Sequence, residues 1–309
     1  MNQKRDLVSI GDLSKGECLA LLRRGDMHRT GATRASRPLE GKSLAMLFSK
    51  ASTRTRVSFD VGMFQLGGQS VVLSDKDSQI GRGEPIPDTA RVLSGYVDGI
   101  MIRTFSHQRV ETLAEWSTVP VINGLTDFNH PCQVLADLLT CRSEFGEERL
   151  TNLKVAWVGD GNNMTRSWIN AARVLGFELR LCGPEDYMLA DDFIAKAVGD
   201  LPNIHYESSP LAAAQGVDVM TTDVWASMGD EAEAETRLKA FEGYSVDSRV
   251  MAETNEESIF LHCLPVHRGE EVSSEVVDGP NSRVWLEAEN RLHIQKAILE
   301  WTIGGLDFS

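Results

Sequence analysis

The sequence lacks most of what would mark a secreted, membrane-bound or nucleic-acid-binding protein. Its five cysteines are an odd number among 309 residues, widely spaced, with no Cys-x-x-Cys pair. That argues against a disulfide framework, provides no zinc-ligand spacing and suits a reducing compartment. No segment approaches the roughly 20 consecutive apolar residues of a membrane span. Met1 to Asp6 lacks the apolar run of a signal peptide, so a cytoplasmic location is expected. Basic charge is also in deficit: 31 Lys and Arg against 45 Asp and Glu leave a net charge of −14. A globally acidic surface argues against nucleic acid or an anionic membrane as the main partner, yet allows a local basic pocket for a small anion. Internal repeats and low-complexity segments are absent.

What is present is an ordinary globular composition, 42% hydrophobic and 25% charged, long enough for about two domains. Short apolar runs alternate with helical patterns. Ser43 to Phe48, Ser70 to Leu73, Gly99 to Arg103 and Val119 to Ile122 read as buried strands, with helices between them. Lys154 to Val158, Phe177 to Leu181, Ile204 to Tyr206, Val217 to Thr221 and Ser258 to Leu261 repeat the alternation, and a last helix runs from Glu287 to Trp301. Strand–helix alternation of this kind makes doubly wound parallel sheets. The charged turn Gly146-Glu147-Glu148-Arg149 is the candidate boundary between two such domains.

Chemistry gathers at the strand exits. After the first strand the chain reads Ser-Thr-Arg-Thr-Arg, from Ser52 to Arg56. A helix starting there presents unpartnered N–H groups and the positive end of its dipole. The hydroxyls of Ser52, Thr53 and Thr55 add donors, and Arg54 adds a planar guanidinium, so the stretch reads as a phosphate site. Arg103 closes another strand. His130 opens a helix whose first position is Pro131, with Gln133 one turn on and on the same side. In the second half, Gly159-Asp160-Gly161 follows a strand, but Met164 stands where a dinucleotide fingerprint needs its third glycine. The alternative is a turn that presents Asn162 or Asn163 to a small polar ligand. Asp223 lies too far ahead of the next helix to cap it, Asp230 being nearer, and shares a loop with Ser227 and Met228. Cys263, within His262-Cys263-Leu264-Pro265, is either a buried structural thiol or a site residue.

Taken in order, Ser-Thr-Arg-Thr-Arg, His-Pro-x-Gln, Gly-Asp-Gly-Asn-Asn, Asp-x-x-x-Ser-Met-Gly and His-Cys-Leu-Pro resemble the ornithine branch of the aspartate/ornithine carbamoyltransferase superfamily over essentially the whole chain. The first two stretches are shared with the aspartate enzymes; the last two are ornithine-type features. Arg268, near Cys263, is the one residue that could suit an aspartate pocket instead.

The resemblance implies two α/β domains with the active site in the cleft between them: residues 1–148 for carbamoyl phosphate, with the C-terminal helix of 288–309 packed back on them, and residues 149–287 for ornithine. It implies transfer of a carbamoyl group to the δ-amine of L-ornithine, giving L-citrulline and phosphate, a step of arginine biosynthesis or, in reverse, of arginine breakdown. Ser52, Thr53, Arg54, Thr55 and Arg103 would hold the phosphate, with Gln79 supplied by a neighbouring subunit of a homotrimer or an assembly of trimers. His130, Arg103 and Thr55 would face the carbamoyl oxygen, Gln133 and the Leu264 carbonyl the carbamoyl NH2, and Arg291 the same substrate. Asn163, Asp223, Ser227 and Met228 would hold ornithine, with Cys263 beside its δ-amine. No metal or other cofactor is implied. The rival readings are a carbamoyltransferase for another amine, a non-catalytic anion-binding relative, and a nicotinamide-dependent dehydrogenase, which Met164 disfavours.

Overall fold

The computed structural model describes residues 4–75, 81, 83–226 and 233–306. The chain divides into two units, residues 1–139 with 289–309, and residues 140–288.

The first unit is built on four parallel strands: β1 (Ser43–Phe48), β2 (Gln69–Ser74), β3 (Gly99–Arg103) and β4 (Val121–Leu125), in the order β2-β1-β3-β4. β1 and β3 are apolar at nearly every position because helices cover both faces of the sheet, so neither face can be polar. Ala45, Leu47, Ile100 and Ile102 pack with Val110, Leu113 and Val121 on one of those faces. The helix Lys15–Arg29 starts at a capping box, in which Ser14 and Glu17 satisfy each other's backbone N–H groups. The helix Arg54–Gln65 stops at Gly67, whose φ of +92° suits glycine. The C-terminal helix Val284–Thr302 begins three residues before the expected Glu287. Its part within this unit lies against the Arg54–Gln65 helix: a side chain at Gly62 would touch Lys296 at 3.4 Å and Leu299 at 3.6 Å.

The second unit has five parallel strands: β5 (Lys154–Val158), β6 (Glu178–Cys182), β7 (Ile204–Glu207), β8 (Val219–Thr222) and β9 (Ile259–His262), in the order β7-β6-β5-β8-β9. Ala156, Val158, Met220 and Phe260 form a core with Val246, Val272 and Val277. The fold class is the expected one, two doubly wound parallel sheets.

Each sheet reverses its winding direction once, between β1 and β3 and again between β5 and β8. Helices splay apart beyond the carboxyl ends of strands at such a reversal, leaving a crevice that the sheet edges do not have. Thr55 follows β1 and Arg103 ends β3; Asn162 and Asp223 follow β5 and β8.

Candidate functional site

In the first unit the centre is Thr55, second residue of the Arg54–Gln65 helix and almost wholly buried. Its N–H donates to Ser52 Oγ at 3.2 Å, so Ser52 closes the helix entry. Its hydroxyl accepts from Arg103 Nη1 at 3.2 Å and from Arg291 Nη2 at 3.0 Å. Beside Arg103 the β3–β4 register shifts, Ile102 pairing with Asn123 and Arg103 with Leu125, so that Gly124 is the extra residue of β4. Arg291 Nη1 donates to Gln133 Oε1 at 2.5 Å, and Gln133 Nε2 donates to Asp137 Oδ1 at 2.8 Å. The Gln133 amide is thereby fixed with its carbonyl toward the arginine.

His130 is buried at the head of the Pro131–Phe145 helix. The loop before it is held by Asn123 Nδ2, which donates to Asn129 Oδ1 at 2.5 Å and to Val8 O at 2.9 Å. Burial pushes the His130 imidazole well below its ordinary range, and the charges of Arg291, Arg103 and Arg54 push it the same way. The ring is therefore neutral at pH 7, a hydrogen-bond donor that adds no charge. Arg54 and Thr53 are exposed, while Thr55, Arg103, Gln133 and Arg291 are buried. Three guanidiniums, two of them buried, suit a compact dianion.

In the second unit Asp223 is the centre. Its Oδ1 accepts from the Cys263 thiol at 3.2 Å and from the Val224 N–H at 2.8 Å, and its Oδ2 accepts from Asn162 Nδ2 at 3.3 Å. Asn162 also caps the helix Asn163–Leu175 through Met164 N at 2.8 Å. Asn163, the residue the resemblance favours, begins that helix, and its neighbour Asn162 is the one that reaches the carboxylate. Gly161 serves close packing: a Cβ there would lie 2.5 Å from the Tyr187 carbonyl oxygen. Leu264, beside Cys263, has φ +58°, a region that costs a branched side chain roughly 1–3 kcal/mol and persists only where the surroundings enforce it. Arg268, the residue that could have suited an aspartate pocket, pairs instead with Asp278 at 2.9 Å on the surface.

Asp223, His262 and Cys263 bring a carboxylate, an imidazole nitrogen and a thiol within 4.8 Å of one another, a ligand set zinc accepts. Both His262 nitrogens are already engaged, by Leu264 N and by Glu271, so a metal would have to displace one of them. Gln79, Ser227 and Met228 lie outside the described residues. Asp137 and Glu271 are not among the expected site residues; the i, i+4 spacing of Asp137 from Gln133 is a visible signal, whereas spacing offers none for Glu271.

The sequence matches two family profiles: "Aspartate/ornithine carbamoyltransferase, carbamoyl-P binding domain" over residues 5–143, and "Aspartate/ornithine carbamoyltransferase, Asp/Orn binding domain" over residues 151–302. It is 51% identical to an ornithine carbamoyltransferase of Halorhodospira halophila, over 97% of this chain and 99% of the relative. It is 47% identical to one from Methanoculleus marisnigri, over 98% of both chains. The fold superposes on the ornithine carbamoyltransferase of Pyrococcus furiosus with a TM-score of 0.89 at 46% identity, covering 98% of each chain. Matches that span both units at this identity leave one assignment: the chain belongs to the aspartate/ornithine carbamoyltransferase family.

Proposed function

We propose that the chain transfers the carbamoyl group of carbamoyl phosphate to the δ-amine of L-ornithine, giving L-citrulline and phosphate. The observation that carries this reading is the gathering of Arg54, Arg103 and Arg291 around a neutral His130. The second unit contributes the complementary feature, a buried aspartate bonded to a thiol, which suits an amine. Ornithine as the acceptor is supported by the names of the relatives at 51% and 47% identity.

In this reading residues 1–148, with 288–309, serve carbamoyl phosphate, and residues 149–287 serve ornithine. Ser52, Thr53, Arg54, Thr55 and Arg103 grip the phosphate, with Gln79 from a second copy of the chain. His130, Arg103 and Thr55 face the carbamoyl oxygen, and Gln133, Arg291 and the Leu264 carbonyl fix the rest of that group. Asn163, Asp223, Ser227 and Met228 hold ornithine. Its δ-amine resembles a lysine, with a pKa near ~10.4, and must first lose a proton; Asp223 and Cys263 orient it and ease that loss. The nitrogen lone pair then attacks the carbamoyl carbon, and the C=O π pair moves onto oxygen. When that pair returns, the bond to the phosphate oxygen breaks, phosphate leaves and the new C–N bond sheds its extra proton. Donors already aimed at the oxygen stabilise the charge that builds there.

A homotrimer follows from the same reading. Val57, Val61 and Phe64 form an exposed apolar row on the Arg54–Gln65 helix, with Phe64 72% exposed, and Val71 is exposed on the edge strand β2. A row like this on a single chain marks a protein interface. Among the described residues no helix is long and apolar enough to cross a membrane. The five cysteines stand as thiols rather than disulfides, which fits a cytoplasmic enzyme of arginine biosynthesis. Citrulline formation from carbamoyl phosphate and a panel of amines tests the function. Turnover with ornithine alone of the panel is expected; turnover with a different amine, or none, overturns it.

A further inference from the structure

β9 ends in His262, and His262 is held at three points. Its backbone N–H donates to Glu287 Oε2 at 2.8 Å. Its Nδ1 lies 2.9 Å from the Leu264 backbone nitrogen, and its Nε2 lies 3.1 Å from Glu271 Oε1. A backbone N–H can only donate, so Nδ1 is the bare nitrogen and the ring proton sits on Nε2, where a carboxylate oxygen accepts it. The same Glu271 oxygen accepts the His267 N–H at 2.7 Å. One carboxylate oxygen therefore ties both ends of the turn from 262 to 267. Both side chains of the pair are fully buried, at 0% exposure.

Between those ends stand Cys263, which donates to Asp223, and Leu264, whose positive φ is unique among the described non-glycine residues. The Leu264 N–H is the group that His262 Nδ1 holds. With the ring proton moved to Nδ1, donor would face donor at Leu264 and the turn would be pushed away from its present shape.

We propose that Glu271 is a positioning residue for the transfer reaction. It fixes the His262 ring with its proton on Nε2, so that Nδ1 holds the Leu264 N–H and the turn keeps the Cys263 thiol on Asp223. The proposal rests on the reaction given above. A glutamine at 271 can still accept from His262 and His267 through its carbonyl oxygen; an alanine cannot. The second Glu271 oxygen is buried and has no hydrogen-bond partner among the described residues. An amide NH2 placed there costs some stability without disturbing the tautomer.

The test compares the full-length wild type with Glu271→Ala and Glu271→Gln. It uses steady-state kinetics in both substrates and 15N NMR of histidine-labelled protein, the His262 signals being assigned with His262→Gln. In Glu271→Ala, kcat is expected to fall about 10- to 100-fold, as small misplacements at a reacting centre do. The KM for ornithine rises more than that for carbamoyl phosphate, because the turn carries Cys263 as well as the Leu264 carbonyl. Glu271→Gln restores most of kcat, and the wild-type spectrum shows His262 protonated on Nε2 alone. Wild-type kinetics in a folded Glu271→Ala, a glutamine variant as impaired as the alanine one, or a wild-type ring protonated on Nδ1 each overturns the proposal. If Glu271→Ala does not fold, the glutamine variant and the wild-type spectrum decide it. A wild type that forms no citrulline would sink the reaction instead, and the spectrum would still test the tautomer.

Discussion

Arg291 donates to the Thr55 hydroxyl at 3.0 Å across 236 positions of sequence. The C-terminal helix thus reaches the Thr55 cluster, and of the three arginines there Arg291 and Arg54 differ most in setting. Arg291 is buried and also holds Gln133; Arg54 is exposed. Arg291→Ala is therefore expected to raise the KM for carbamoyl phosphate and to cost about 1–3 kcal/mol of stability, because Gln133 Oε1 is left buried without this donor. Arg54→Gly should lower kcat by roughly 10²–10³ with an unchanged unfolding midpoint. Kinetics and urea melts on the two variants check the contrast; equal destabilisation by both would remove it.

His130 gives the stability a pH signature. Its folded pKa is depressed by burial, then by Arg291, Arg103 and Arg54. The unfolded imidazole takes up a proton near pH ~6.5. Below that pH the unfolded chain binds a proton that the native chain refuses, so stability falls as pH drops and is level above it. His130→Asn should flatten this slope between about pH 7 and 5.5 in urea melts compared with wild type. An unchanged slope would show that the imidazole does not titrate as its surroundings require.

In the proposed reaction Cys263 and Asp223 serve the amine. Asp223→Asn and Cys263→Ala should weaken ornithine use and leave carbamoyl phosphate binding intact; equal loss in both binding assays refutes that division. Thiol labelling gives a second check. Burial pushes Cys18, Cys132 and Cys182 up to about 12, and Cys141 is buried, while Cys263 is partly exposed. Iodoacetamide should label Cys263 first, with loss of turnover in step with labelling.

Gly161→Ala should destabilise the protein by about 1–3 kcal/mol, as overpacking does. Its Cβ would meet the Tyr187 carbonyl oxygen at 2.5 Å and Met188 Cα at 3.1 Å, and backbone cannot step aside as a side-chain tip can. The adjacent Asn162 bond to Asp223 should loosen with it, and the KM for ornithine should rise. A melt and a KM both equal to wild type would show that the turn has slack.

Phe64→Asp puts a charge in the exposed row of Val57, Val61 and Phe64. If that row joins copies of the chain, light scattering should give three chain masses for the wild type and one for the variant. A trimeric variant would place the contact elsewhere.

The sequence by itself determined the order of the strands and the local motifs, although β4, expected from Val119 to Ile122, runs from Val121 to Leu125. A parallel strand covered on both faces must be apolar at nearly every position, so Ser43 to Phe48 and Gly99 to Arg103 were legible as continuous runs that end where the structure ends them. Helix starts were less legible, since a helix can begin before its first strong signal. The last one starts at Val284 rather than Glu287. Residues three or four apart also declared themselves, as with Ser52 and Thr55 or His130 and Gln133, because one turn of helix puts them together whatever the rest of the chain does. Only the tertiary structure decided which distant groups share a hydrogen bond. Thr55 with Arg291, Asp223 with Cys263 and His262 with Glu271 are joined by sheet order and helix packing. Spacing along the chain says nothing of such pairs, since burial demands a partner for each polar group without naming which one.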